Sequence, residues 1–305
     1  MAKHATTTTR TVASLRGGER TVPGDLRSRL LRGFPVTERR LSLNRLRTAV
    51  LEGGDGSPIL LLHGPAAYAA QWRRVIPDLV TTHRVIAPDL PGHGASDSID
   101  RDPDPEFVAG WLDDLIECTC DFRPVVVGHS LGGAMAARFA SQHGDRIAAL
   151  VLVDALGLST FQPAPEFGSA MHEYLSNPTP QTHDGLWRQC LADLTSVRKH
   201  LGEEWEAIKA YNLDRIQAPG RLSSLRRLMD QFGMPAIPAD VLARIAVPTT
   251  LIWGREDRAI SLTVAQDASE RFGWPLRVIE GAADDPTLDQ PELFLKTLRR
   301  VLDDQ

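Results

Sequence analysis

Ser130 is the residue in this chain best placed to do covalent chemistry. It sits in Gly128-His129-Ser130-Leu131-Gly132, directly after the apolar run Val125-Val126-Val127 and before a helix-like stretch. A serine between glycines two residues either side, at a strand-to-helix junction, is the pattern of a nucleophile on a sharp turn. Glycine is needed there because the turn leaves no room for Cβ atoms, and the strain lifts Oγ clear of the sheet. The chemistry implied is attack on a carbonyl carbon. Leu131 opens the following helix, so its amide is an expected donor to the developing oxyanion.

A turn of this kind needs a sheet beneath it. Residues 40–43 and 46–51 alternate like a half-buried hairpin. Continuous apolar runs follow at 59–62, 85–87, 125–127, 150–153, 250–253 and 276–279, each the length of a strand buried on both faces. Helical patterns fall between them at 71–79, 105–118, 132–143, 262–272 and 290–302. This alternation predicts an α/β fold with a mostly parallel sheet flanked by helices. One interval breaks it. No strand pattern appears between Asp154 and Val247, where Phe161, Phe167, Met171, Trp187, Trp205, Tyr211 and Met229 recur at helical spacings. The expected organisation is a core at 35–156 and 245–305, a helical lid at 157–244 and a basic N-terminal extension at 1–34. A short amphipathic helix is expected at 25–32, within a tail or strap on the core.

Composition narrows the function classes. A net charge of −5 gives no general attraction to nucleic acid or anionic lipid. No apolar run reaches the roughly 20 residues of a membrane span, and the Thr-rich N-terminus lacks the apolar region of a secretory signal. The three cysteines, Cys118, Cys120 and Cys190, form no C-x-x-C pair and are expected as buried thiols in a reducing compartment. A cytoplasmic protein is expected. No metal-ligand spacing and no nucleotide loop appear, so no cofactor is implied.

The chain resembles the α/β-hydrolase family over about residues 36–302. The resemblance rests on His63-Gly64 after the third strand, Asp89-Leu90-Pro91-Gly92-His93-Gly94 after the fourth, the Ser130 turn, and Gly254-Arg255-Glu256-Asp257 after the penultimate strand. It implies that Asp257 is the acid of a catalytic triad, with Asp154 as the alternative acid. The family carries its histidine in a loop after the last strand. This chain reads Gly281-Ala282-Ala283-Asp284-Asp285-Pro286 there, and its last histidine is His200. Asp284 therefore stands where the resemblance puts the base. An ordinary carboxyl titrates near about 4 and imidazole near about 6.5, so the replacement is expected to be the weaker base. Asp257 and Asp284, if they face each other, would share a proton. The resemblance also places an oxyanion donor after His-Gly, but Pro65 has no N–H, which leaves Ala66 as the substitute. His63 and His93 are expected to brace loops, and His129 to point away from Oγ. His172, His183 or His200 would have to reach down from the lid to serve as base.

These residues imply a serine hydrolase with an atypical catalytic set, Ser130, Asp257 and Asp284, acting on an ester or related acyl bond of a small apolar molecule. The alternatives are ligand binding without turnover, and a cofactor-free lyase or isomerase.

Overall fold

The apolar runs form eight strands of one sheet, in the order β1-β2-β4-β3-β5-β6-β7-β8. They are β1 (Thr37–Leu43), β2 (Leu46–Gly53), β3 (Ser57–Leu62), β4 (His83–Pro88), β5 (Val125–His129), β6 (Ala149–Val153), β7 (Thr249–Gly254) and β8 (Leu276–Ile279). The computed structural model describes residues 26–303. β1 and β2 form a hairpin whose turn, Asn44-Arg45, has positive φ at both positions (45° and 66°), as two-residue hairpins require. β2 runs antiparallel to β4, and every later pairing is parallel. The mostly parallel sheet and flanking helices are those expected from the alternating pattern.

Alternate residues of the central strands feed two cores. Leu60, Leu62, Val126, Leu150, Leu152 and Leu251 face one. Ile59, Leu61, Val127, Val151, Val153 and Ile252 face the other. The first is covered by α3 (Pro105–Thr119), α4 (Leu131–His143) and α11 (Leu262–Phe272), the second by α1 (Leu26–Leu30), α2 (Ile76–Leu79) and α13 (Pro291–Asp303). Residues 71–79 do not make the single helix expected. A 3-10 helix spans Ala69–Arg74 and α2 starts anew at Ile76. Pro77 fits the break, because it donates no amide to the preceding turn and is tolerated in the first turn of a new helix.

Between β6 and β7 the chain is helical: α5 (Pro165–Ser176), α6 (Pro180–Cys190), α7 (Leu194–Leu201), α8 (Glu203–Gln217), α9 (Arg221–Leu228) and α10 (Ala239–Leu242). These helices extend both cores, the first through Phe167, Leu228 and Phe232, the second through Leu191, Trp205 and Tyr211. After β8 a one-turn helix, α12 (Pro286–Asp289), precedes α13. The predicted 25–32 helix is observed as α1, while residues 1–25 lie outside the described residues. All three cysteines are free and half-buried rather than fully buried. Among the described residues, no helix is long and apolar enough to cross a membrane.

The β5–α4 turn shows why the glycines are there. A Cβ on Gly128 would lie 2.6 Å from the carbonyl oxygen of Gly132 and 2.7 Å from the Gly133 Cα. Both are backbone atoms that cannot rotate away. Gly128→Ala is expected to destabilise the fold by about 1–3 kcal/mol through overpacking, measured by urea denaturation. An unchanged midpoint would show that the turn is looser than described.

Candidate active site

Parallel strands deliver their carboxyl ends to one edge of the sheet, and the unusual backbone of this chain collects there. Five non-glycine residues among those described have positive φ. Two form the β1–β2 turn, and the other three are Ala66 (56°), Ser130 (48°) and Asp154 (41°), which follow β3, β5 and β6. Ser130 combines this φ with ψ −111°. Such a conformation persists only where the surroundings hold it. Here the Ser130 amide donates to Val153 O (3.0 Å), and the Ser130 carbonyl accepts from Ala134 N and Leu156 N (both 3.1 Å). The Gly132 amide donates to His63 O (3.2 Å), which ties the turn to the loop after β3.

Ser130 opens into a cavity of about 300 Å³. Phe161, Phe167, Met171, Trp187 and Met229 from the inserted segment line it, and the wall is mostly apolar. Trp205 and Tyr211, from the same aromatic pattern, pack elsewhere: Trp205 against Trp187 and His183, Tyr211 against Tyr68. At the sheet end the wall holds Ser130, Ala66, Gln71, His129, Asp284 and Asp285. The amides of Leu131 and Ala66 have no acceptor among the described residues. Pro65, between Gly64 and Ala66, has no N–H to offer.

Three carboxyl groups gather behind the serine. Asp154 Oδ1 accepts from the amide of Gly254 (2.8 Å). Asp257 Oδ1 accepts from Ala259 N (2.7 Å) and Ile260 N (2.9 Å). Oδ2 of each residue is buried and has no hydrogen-bond partner among the described residues. Burial pushes both well above the usual carboxylate range, with the charge of Asp284 adding to each and that of Asp257 adding to Asp154. Asp284 accepts no hydrogen bond on its carboxyl among the described residues. Burial lifts it to about 6, with Asp285 and Asp289 adding repulsion and His129 opposing it.

The loop carrying Asp284 is firmly held. Asp289 accepts from Ala283 N (2.9 Å) in that loop and from Ala192 N (2.9 Å) at the end of α6, which joins the loop to the inserted helices. Asp285 accepts from Gln71 Nε2 (2.7 Å) and Thr287 Oγ1 (2.6 Å). His129 Nε2 donates to the carbonyl of Asp284 (2.7 Å). The His129 ring thus lies in the cavity wall, a place its position before Ser130 did not suggest, and no hydrogen bond joins it to Ser130 among the described residues.

The other histidines are committed to structure. His63 donates from Nδ1 to Gly64 O (2.8 Å) and accepts at Nε2 from Leu90 N (2.9 Å), and burial pushes it down to about 3. His93 donates to Pro91 O (3.0 Å) and is pushed down to about 4 by burial. Both brace loops. From the inserted segment, His183 is fully buried against Asn212 and Asp184, and His172 and His200 are exposed. None of these three lines the cavity. A lid histidine acting as the base is therefore not what the geometry offers.

Fold and site together define an α/β hydrolase. Residues 59–297 match the model of the Alpha/beta hydrolase family, and the chain belongs to that family. Among its relatives, 2-hydroxy-6-oxo-6-phenylhexa-2,4-dienoate hydrolase of Comamonas testosteroni is 30% identical, covering 69% of this chain and 75% of its own. The magnesium-chelatase 30 kDa subunit of Rhodobacter capsulatus is 33% identical over 70% of this chain and 76% of its own. Among solved structures, the 2-hydroxy-6-oxo-6-phenylhexa-2,4-dienoate hydrolase of Rhodococcus sp. strain RHA1 superposes with a TM-score of 0.75 at 23% identity, covering 87% of this chain and 98% of its own.

The acid cluster sets a pH dependence of stability. Asp284 binds its proton more tightly in the folded state, where it titrates at about 6, than in the unfolded chain. The unfolded value is about 4. Its stabilising contribution is present below about pH 4 and is lost as pH rises through about 6. Asp284→Asn is therefore expected to stabilise the fold at pH 8 by about 2 kcal/mol and to be neutral at pH 4. Urea denaturation across that range checks it. A wild-type-minus-variant difference independent of pH would show that Asp284 titrates normally.

Proposed function

We propose that the chain is a serine hydrolase that cleaves an ester or related acyl bond of a small apolar molecule, with Ser130 as nucleophile and Asp284 as base. The observation that carries this reading is Asp284 itself. It stands in the wall of the cavity into which Ser130 opens, at about 6 rather than the ordinary carboxylate value. That is within about half a unit of a free imidazole, so burial and neighbouring acids restore most of the basicity lost with the histidine.

In this reading Ser130 Oγ bonds to the substrate carbonyl carbon while its proton passes to Asp284. An aspartate side chain is shorter than a histidine, so a water carries the proton between them. The carbonyl oxygen becomes an oxyanion held by the amides of Leu131 and Ala66. Collapse breaks the bond to the leaving alkoxide, which takes the proton from Asp284. A second water, deprotonated by Asp284, then attacks the acyl carbon; the bond from that carbon to Ser130 Oγ breaks, Oγ takes the proton back from Asp284, and the acid is released. Burial, with the negative charges of Asp285 and Asp289, keeps Asp284 basic. The inserted helices act as the lid, excluding bulk water and selecting apolar substrates.

Ligand binding without turnover is a second reading, favoured by one observation: no side chain hydrogen-bonds Ser130 Oγ among the described residues. One relative, moreover, is named as a magnesium-chelatase subunit rather than a hydrolase.

Intact mass after exposure to a fluorophosphonate between pH 4 and 9 separates the two. The hydrolase reading expects one adduct, absent in Ser130→Ala, with a rate that rises through about pH 6 as Asp284 ionises. Asp284→Asn is expected to slow labelling about 100-fold or more, and Asp284→His to raise it above wild type. No adduct at any pH would leave the binding reading.

A further inference from the structure

Arg27 lies on α1, at the end of a basic N-terminal extension, yet its side chain is only 6% exposed. Its guanidinium joins three separate parts of the fold. Nε pairs with Glu38 on β1. Nη1 pairs with Asp89 Oδ2, in the loop after β4, at 2.9 Å. Nη1 also donates to the hydroxyl of Tyr211, on α8, at 2.9 Å.

Two of these partners lead to the same place. Asp89 is fully buried and accepts from the amide of Ala69 at 2.7 Å through Oδ1, and from that of Ala95 at 2.7 Å through Oδ2. Ala69 directly follows the loop 64–68, which contains Pro65, Ala66 and the cavity-lining Tyr68. Tyr211 meets Tyr68 edge-on, with ring centroids 4.7 Å apart. Arg27 therefore holds this loop from below through Asp89 and from above through Tyr211. The helix that carries Tyr211 also supplies Ile208 and Asn212 to the cavity wall.

We infer that Arg27 is a positioning residue: it locks α8 and the Ala66 loop into one arrangement over Ser130, which makes α1 a working part of the site. The chemistry of the residue fits the task. Three directional bonds to two carboxylates and a hydroxyl use the planar fork of a guanidinium, and a lysine ammonium cannot reproduce that fork. The buried positive charge is balanced by Asp89 and Glu38, so the lock holds together out of solvent. The effect on Ser130 rests on the hydrolase reading, whereas the coupling of the two wall segments does not.

The test uses the full chain. Tyr211→Phe removes only the hydroxyl that accepts from Arg27. It leaves the Asp89 and Glu38 pairs and the ring on Tyr68, so the fold should survive. Arg27→Lys keeps the charge and loses the fork. Amide hydrogen exchange is followed in 203–217 and in 64–70, beside β5 and β6 as controls, together with the fluorophosphonate labelling rate. Both variants are expected to speed exchange about 10-fold or more in both wall segments, with the controls unchanged. The labelling rate is expected to fall about 10-fold in parallel. Faster exchange in 203–217 with none in 64–70 would overturn the proposal, because Arg27 would then merely anchor α8. An unsubstituted chain that takes no label would overturn the hydrolase reading, and the exchange measurement would still decide the coupling.

Discussion

Three carboxyl groups brought to one buried edge of a sheet cannot all be charged, and the site is arranged around that repulsion. Two unit charges about 4 Å apart repel by about 4 kcal/mol at an effective dielectric of about 20. Asp154 follows β6, Asp257 follows β7 and Asp284 follows β8, and these strands are neighbours in the sheet. Amides of Gly254, Ala259 and Ile260 stabilise one oxygen of each of the first two acids, and the other oxygen of each is buried without a hydrogen-bond partner among the described residues. Asp284 receives no such help. Of the three it is the one that lines the cavity.

In the proposed hydrolase reading, this arrangement lets a carboxylate do the work of an imidazole. A carboxylate is a poor base because water stabilises its charge. Remove the water, add negative neighbours, and the same group holds a proton nearly as well as imidazole does. The frame around Asp284 serves that end. Asp289 pins the loop to the inserted helices, His129 grips the Asp284 carbonyl, and Gln71 holds Asp285. The strained Ser130 and the unpaired amides of Leu131 and Ala66 lie at the same edge of the sheet.

Much of this was legible in the sequence. Apolar runs bounded by turn residues located the strands, because a strand buried on both faces needs no alternation. The glycines around Ser130 located the turn, because its backbone excludes Cβ atoms. What could not be read were the properties that depend on surroundings. A reference pKa made Asp284 a weak base, and only the fold reveals the burial and the neighbouring acids that change it. His129 sits in the cavity wall because the Asp284 carbonyl is there to accept its proton, a contact between residues 155 positions apart. Arg27 lay in a segment read as a tail or strap on the core, with nothing to single out its side chain, and its partners Asp89 and Tyr211 are distant in the chain. The break at Pro77 was visible, but the amphipathic pattern across 71–79 outweighed it.

The central claim is that Asp284 titrates where a histidine would. Carboxyl carbon NMR of the chain labelled at aspartate side chains, compared with Asp284→Asn to assign the signal, measures this directly. The expected result is a resonance, absent in the variant, that moves with a midpoint at about pH 6. A midpoint at the ordinary carboxylate value of about 4 would contradict the account, because Asp284 would then be too weak a base to stand in for imidazole.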